Sequence, residues 1–441
     1  MDRLLIIWLL NLVFYFRTLR YGYVCDDVDV SNQKPKKRFL HKQWEQFKGK
    51  CYYDAPSAHL LTLITHTIVC SLIYLVFGGK VGFVAALLFS IHPMAGQGGI
   101  WLSGKGYALT AILLLLGMWH KWLFFFTYAL SGTLSIAGLA APMIYPWLWF
   151  AFPFYFLVTT RYHSPRQIQF RKGMTTEGQQ KFTPIRLIVI VKTFCYYFLI
   201  CLFPIKMGMY HHFMFTYGMS KKDDIECEKA DWWFWGGLVI GLGLITLAIL
   251  NHNNPLGRGV WWFCAFIVIW LNIYLIHQPI AERYCYVPLI GMVWALAYIL
   301  VDYPLILGAV FGAYAIRSWL FMGAYKDDDL YTKATVYHHN FPGQYRVWSL
   351  LGDAQGRKGR IFPALDCYLQ ALYCRKNEPR INFKVANLLM AMGKFEMALS
   401  HLDLMLKADY YDIENGVKNA EPLLRKMIHE QIEKRDKNGE K

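Results

Sequence analysis

None of the ten cysteines stands in a CxxC pair, and Cys70, Cys195, Cys201 and Cys264 sit inside apolar stretches where packing is their expected role. That scatter signals no metal site. A disulfide among Cys25, Cys51, Cys227 and Cys285 stays open if their loops share an oxidising side. Acidic residues are also scarce: 30 Asp and Glu against 46 Lys and Arg leave a net charge of +16. Such an excess could point to nucleic acid, but no binding motif accompanies it, and loops between apolar segments account for it better. A small-residue cleavage site is missing after the apolar stretch Leu4 to Phe16, so this stretch is expected to be a retained anchor extending toward Val24.

What the chain has in quantity is apolar surface. At 56% hydrophobic and 17% aromatic over 441 residues, it carries more than a soluble core of this length needs. Candidate membrane spans are expected at Leu4 to Val24, Ala58 to Phe77, the shorter Val81 to Ile91 and Tyr107 to Trp119, Trp122 to Leu139 and Met143 to Thr159. Others follow at Leu187 to Phe203, Trp233 to Leu250, Val260 to Ile276, Pro288 to Val301 and Leu305 to Met322, about eleven in all. The loop Arg161 to Arg186 holds six Lys or Arg against the single acid Glu177, which assigns it to the cytoplasm. Counting spans from there puts the N-terminus in the cytoplasm. The loops around Cys25 to Asp54, Ile91 to Gly106, Pro204 to Trp232 and His277 to Val287, and everything after Met322, then share the opposite face. Motif-like residues gathered on one face, rather than at mid-membrane, disfavour a transporter.

Three carboxylates, Asp26, Asp27 and Asp29, follow directly on the first apolar stretch, in YVCDDVDVSN. Acids crowded at a membrane boundary are costly and need a reason, although a solvated loop is the plain alternative. The same loop carries seven Lys or Arg against five acids, as a segment handling a lipid phosphate or touching anionic headgroups would. Beyond Met322 the composition turns polar and a repeat appears. Gly352 and Ala386, Gly359 and Gly393, and Ala364 and Ala398 are each 34 residues apart. With Trp348, Leu351, Tyr368 and Ala371, the first unit fits a tetratricopeptide pattern, in which small residues let paired helices approach closely. Glu414 to Ile432 reads as a capping helix.

The order of these features resembles the polytopic glycosyltransferases of the GT-C class, specifically the transmembrane and tetratricopeptide-repeat O-mannosyltransferases and their bacterial relatives. The resemblance rests on CDDVDVSN, on SAHLLTLITHTIVCSLIYLVFG, on ALLFSIHPMAGQGGIWLSGKGYALTAILLLL, and on QPIAERYCYVPLIG followed by the repeats. It implies an all-α architecture, a GT-C-type helix bundle over residues 1–325 with its first external loop at 25–57, then a repeat solenoid over 326–441. It further implies transfer of a sugar, mannose by resemblance, from a polyprenyl phosphate to Ser or Thr hydroxyls. The membrane would be the endoplasmic reticulum or a bacterial inner membrane, with the active face and the repeats lumenal or extracytoplasmic. Expected partners are the lipid-linked sugar, the acceptor polypeptide docked on the repeats, and membrane lipids, with no nucleic acid.

By position, Asp26 matches the catalytic base and Asp27 its supporting acid. Arg283 is the first choice for the donor phosphate, because a guanidinium grips phosphate with two donors, and Lys105 is the second. His92, Glu282 and Tyr284 are substrate-binding candidates. Each has a plainer alternative: an ion pair of Arg283 with Glu282, an interfacial Lys105, a His92 that satisfies its own backbone, a Tyr284 in the aromatic belt. Asp26, Asp27 and Asp29 could ligate Mg²⁺ or Mn²⁺, but a general base needs no metal, and no cofactor is expected to be essential. Where relatives carry a second His, a Glu and an Asp, this chain has Ala95, Gln97 and Tyr107. A non-catalytic scaffold that binds a partner through its repeats, or an enzyme glycosylating pilin or a lipid, are therefore the competing readings.

Overall fold

Capping side chains set the start of several helices in this chain. The computed structural model describes residues 2–24, 54–132, 134–162, 184–205, 207–208, 215–217, 225–227, 231–273, 280–338, 345–375, 378–407 and 415–437. Asp26, Asp27, Asp29 and the basic loop lie outside the described residues, as do the side chains of Gln97 and Ser103. The helices of eight residues or more begin with α1 (Asp2–Tyr15), α2 (Ala55–Phe77), α3 (Gly79–Ile91), α4 (Lys105–Trp119), α5 (Phe124–Ser131) and α6 (Phe152–Tyr162). There follow α7 (Pro184–Leu202), α8 (Trp232–Leu250), α9 (Pro255–Val268), α10 (Tyr286–Leu300), α11 (Pro304–Met322) and α12 (Asp328–His338). The last are α13 (Tyr345–Arg357), α14 (Ile361–Cys374), α15 (Pro379–Ala391), α16 (Phe395–Lys407) and α17 (Asn415–Lys437).

Side-chain oxygens take up N-terminal N–H groups that would otherwise be orphaned. Asp54 accepts Ser57 N–H at 3.0 Å ahead of α2, Asp231 accepts Phe234 N–H at 3.1 Å ahead of α8, and Asn254 accepts Gly257 N–H at 3.2 Å ahead of α9. A cap of this kind contributes about 1 kcal/mol. Hydrogen bonding from Ser57 also holds the Asp54 carboxyl below the usual Asp range.

The residues divide into two compact units. The first comprises 1–168, 184–210 and 229–331. Five of its helical stretches are long and apolar enough to cross a membrane: Ala55–Phe77, Pro184–Leu202, Trp232–Leu250, Glu282–Leu300 and Pro304–Lys326. Gly79–Ile91, Lys105–Trp119 and Pro255–Val268 are apolar but shorter. This is the pattern of an integral membrane protein. The stretch ending in α10 is central and mostly buried, whereas little of α8 is buried. α9 and α10 cross backbone to backbone: a Cβ on Gly291 would lie 2.4 Å from the Gly259 carbonyl oxygen, so only glycine fits there. Several buried polar groups inside the unit are paired. Asn11 donates to Ser90 Oγ at 3.0 Å and Tyr15 to the Ser90 carbonyl at 2.7 Å, tying α1 to α3. Buried Lys192 on α7 meets Asp231 at 2.7 Å.

The stretch from Trp122 to Thr159 departs from expectation. Two continuous spans were expected, but the chain forms α5, short helical turns between Ile136 and Phe150, and α6. Pro142, Pro146 and Pro153 lack the N–H that a continuing helix needs. Gly138 receives Ser131 Oγ where a Cβ would sit 2.5 Å away, so packing also favours the break.

The second unit comprises 169–183, 211–228 and 332–441. An antiparallel ladder of Phe215–Tyr217 with Ile225–Cys227 is the one strand pairing among the described residues. Its helices α13 to α17 enclose an apolar core that includes Ala364, Tyr368, Val385, Ala386, Leu402 and Ile428. The turns from α13 to α14 and from α15 to α16 are built alike. Gly359 and Gly393 adopt φ of 70° and 72°, while Arg360 N–H reaches Gln355 O at 3.0 Å and Lys394 N–H reaches Leu389 O at 2.9 Å. These bonds close the helix ends as a six-to-one cap that needs a left-handed residue. Gly352 admits the Tyr368 ring, which would lie 2.4 Å from a Cβ there.

Candidate functional site

Between α3 and α4 the first unit runs through tight turns over residues 92–104, and a 3-10 turn, Glu282–Cys285, precedes α10. These two stretches face each other because of glycine. A Cβ on Gly98 would lie 2.1 Å from the Tyr286 ring, so Gly98 lets the turn lie directly on α10. Tyr286 in turn pairs with His66 Nδ1 at 2.8 Å, and His66 Nε2 lies 3.4 Å from the Ser90 carbonyl. The carbonyl can only accept, so Nε2 carries the proton and Nδ1 accepts the Tyr286 hydroxyl.

Lys105 heads α4 and is fully buried. It is an electrostatic neighbour of His59, whose Nε2 donates to the Gly22 carbonyl at 3.2 Å. Gly22 also donates its N–H to the Lys326 carbonyl at 3.1 Å, and Val24 is buried. The chain just ahead of the acidic stretch is thus held at the end of the unit where α4 begins.

Arg283 is buried, with its guanidinium carbon 5.2 Å from the Trp101 ring centre and 5.1 Å from that of Tyr284. Tyr284 stacks on Trp270 at 4.1 Å with the rings 4° from parallel. Tyr107, in the first turn of α4, lies 5.9 Å from Trp270 and 6.2 Å from Tyr284. Tyr107, Trp270 and Tyr284 therefore form an aromatic group that joins the helix of Lys105 to the turn of Arg283, whose guanidinium also meets Trp101.

Glu282 points elsewhere. Its Oε1 accepts the Gly208 N–H at 2.6 Å, and Arg317 is its electrostatic neighbour while donating to the Pro204 and Ile205 carbonyls at 3.1 and 2.8 Å. Acid and guanidinium together hold the segment that leaves α7. His92 is also occupied by the protein. Its Nδ1 accepts Met94 N–H at 3.1 Å and its Nε2 donates to the Cys201 carbonyl at 2.9 Å, which fixes a neutral ring with both nitrogens used. Cys285 is a buried free thiol, so it takes no part in a disulfide.

Of the residues singled out from sequence, Lys105, Arg283 and Tyr284 gather in one region, Glu282 and His92 are engaged by backbone groups, and Asp26 and Asp27 lie outside the described residues. Sequence reasoning missed His59, Trp101 and Trp270. His59 had a signal, since it stands seven residues before His66 and two helical turns put both on one face of α2. Trp270 had none, because its partner Tyr284 comes from another segment. Among the described residues no group of three or more His, Cys, Asp or Glu could hold a metal ion. Comparison of the chain with protein-family models, with curated proteins and with solved structures finds no match.

Proposed function

We propose that the chain is a GT-C-type membrane glycosyltransferase that moves a sugar from a polyprenyl phosphate to Ser or Thr hydroxyls of proteins. The observation that carries this reading is the pair of buried cations, Lys105 and Arg283, bracketing an aromatic group at the end of the unit where Val24 is anchored. Asp26 follows Val24 by two residues, over which a chain reaches at most about 7 Å.

In this mechanism Asp26 takes the proton of the acceptor hydroxyl as its oxygen attacks the anomeric carbon, and Asp27 supports it. The bond from that carbon to the phosphate oxygen breaks, and the leaving phosphate carries away the electron pair. Base assistance of this type contributes about 10²- to 10⁴-fold. Arg283 and Lys105 stabilise the charge on the departing phosphate without moving a proton. Tyr284 and Trp270 offer an aromatic wall to the sugar. Direct displacement inverts the anomeric carbon. Glu282 and His92 act as positioning residues, holding the turns that carry Arg283 and Lys105.

The 34-residue period with the same cap at Gly359 and Gly393 supports tetratricopeptide repeats in the second unit, where the acceptor polypeptide would dock. Orientation follows from charge. Arg3, Lys80, Lys121 and Arg258 lie at the far ends or short turns of the bundle, against Asp2 and Asp302, which supports a cytoplasmic location for that end and an extracytoplasmic one for the candidate site.

The test is transfer by purified protein supplied with polyprenyl-phosphate mannose and an acceptor peptide. Activity is expected in the wild type and absent after joint Asp26→Asn and Asp27→Asn replacement; transfer that survives both changes rules the mechanism out. One observation favours a second reading, a scaffold that binds a partner through its repeats: Tyr107, at a position where relatives carry an acid, is packed into the aromatic group. A wild type that neither binds nor turns over the lipid-linked sugar, with cellular function lost only on altering the repeats, would establish the scaffold.

A further inference from the structure

α2, α4 and α10 all begin at the candidate site; α2 and α4 end at a second cavity, which α10 reaches through Trp294. Its volume is about 810 Å³, well within the range of small-molecule sites. From His59 at the start of α2 to Phe77 at its end are 18 residues, or about 27 Å at 1.5 Å per residue. That rise is close to the roughly 30 Å of a bilayer's hydrocarbon core. The second cavity therefore belongs to the opposite membrane boundary.

The lining is apolar and aromatic at depth and basic at the mouth. Phe77 and Trp294 stack at 4.0 Å with the rings 3° from parallel. Beside them Trp262 is buried, and its indole N–H is already spent on the Val287 carbonyl at 2.9 Å, so it too presents only ring surface. Lys121 lines the cavity from the turn that ends α4, His252 from the turn that joins α8 to α9, and Arg258 from the start of α9, and all three are exposed. Arg258 is steadied through its Nε, which donates to the His252 carbonyl at 3.3 Å, and among the described residues no hydrogen bond takes up its terminal nitrogens. Among the described residues no Asp or Glu contributes to the lining. Ile249, itself a lining residue, is 65% exposed on the lipid-facing side, so the cavity is bordered by apolar surface.

We infer that this cavity binds a phosphate-bearing membrane lipid, with its headgroup on Arg258 and Lys121 and its chain against Phe77 and Trp294. Cations without counter-charge at the mouth select an anion, and a guanidinium with two free donors suits a phosphate monoester. The apolar depth selects a lipid over a soluble phosphate, which would leave the stacked rings unused. The inference needs only that the bundle sits in a membrane, and it does not depend on sugar transfer. Its site lies at the other end of α2 from Lys105 and Arg283, so the two readings fail separately.

Native mass spectrometry of the full chain, released from micelles holding equal amounts of dioleoyl-phosphatidic acid and dioleoyl-phosphatidylcholine, tests it. The wild type is expected to retain phosphatidic acid over phosphatidylcholine by at least about tenfold, and Lys121→Gln with Arg258→Gln to abolish that preference. Arg258→Lys keeps the charge but loses the two-pronged grip, and an intermediate preference is expected. Both positions are exposed, so folding is checked by an unchanged melting temperature. Equal retention of the two lipids by the wild type overturns the inference, as does a preference that persists in the double variant. Displacement of the lipid by millimolar inorganic phosphate would also overturn it, by showing a site for free phosphate.

Discussion

The two units solve the same packing problem with opposite chemistry. In the first, the exposed side chains are apolar, with Leu305 88%, Leu250 76% and Val13 73% exposed, while Asn11, His66, Lys105, Lys192 and Glu282 are buried. In the second, Ala364, Leu402 and Ile428 are buried and the charges face out, in pairs such as Arg425 with Asp403 at 2.9 Å and Arg435 with Glu396 at 2.7 Å. Water drives apolar groups inward, so the second unit is held by burial of a mixed aliphatic and aromatic core, each large side chain contributing about 1.5–3 kcal/mol. Lipid gives no such drive between helices, so the first unit relies on close backbone approach and internal hydrogen bonds. Glycine shows the difference: Gly259 and Gly291 serve contact, whereas Gly359 and Gly393 serve the turn.

That contrast can be broken most severely at the α9–α10 crossing. Gly291→Leu should cost about 3 kcal/mol or more and leave no monodisperse protein on size exclusion. Gly308→Leu on α11, where a Cβ meets nothing within 4 Å, should be silent. Next in size, Arg283→Gln should lower sugar transfer by about 10²-fold, seen in kcat rather than in helix content by circular dichroism. In the second unit, Gly393→Ala forces a side chain into left-handed backbone and should cost about 1 kcal/mol, read as faster hydrogen exchange in α15 and α16.

The smallest effect is a pH dependence confined to the second unit. His401 Nδ1 lies 2.8 Å from Asn382 Oδ1, and burial lowers its pKa below the usual histidine value. The unfolded chain then binds a proton first as pH falls, so this residue's contribution is full above about pH 6.5 and is lost below it. Protection factors in α15 and α16 should fall between neutral pH and about pH 5.5, and His401→Gln should flatten the change.

Much of the first unit's layout is legible in the sequence. The spans expected at Ala58 to Phe77, Leu187 to Phe203, Trp233 to Leu250 and Leu305 to Met322 lie within a few residues of α2, α7, α8 and α11. The stretch from Trp122 to Thr159 was misread because hydropathy stays high across Pro142, Pro146 and Pro153, and a window average conceals the missing N–H groups. Lys105 could be marked as a candidate through the resemblance of its motif, and Arg283 through its place just outside an apolar span and the two-donor grip of a guanidinium on phosphate. Trp101 and Trp270 could not, since nothing local distinguishes a tryptophan in the lipid belt from one stacked on a tyrosine.

Sequence alone determined which stretches are apolar, where Asp54, Asp231 and Asn254 start helices, and where Gly359 and Gly393 end them. These are local matters, decided by neighbours within a turn or two. Only the tertiary structure decided that Glu282 turns to Gly208 and away from Arg283, that His92 has both nitrogens spent, and that Lys121, His252 and Arg258 share one cavity mouth. A buried polar group must find its partner wherever the fold supplies one, and that partner stands at a sequence distance no local signal records.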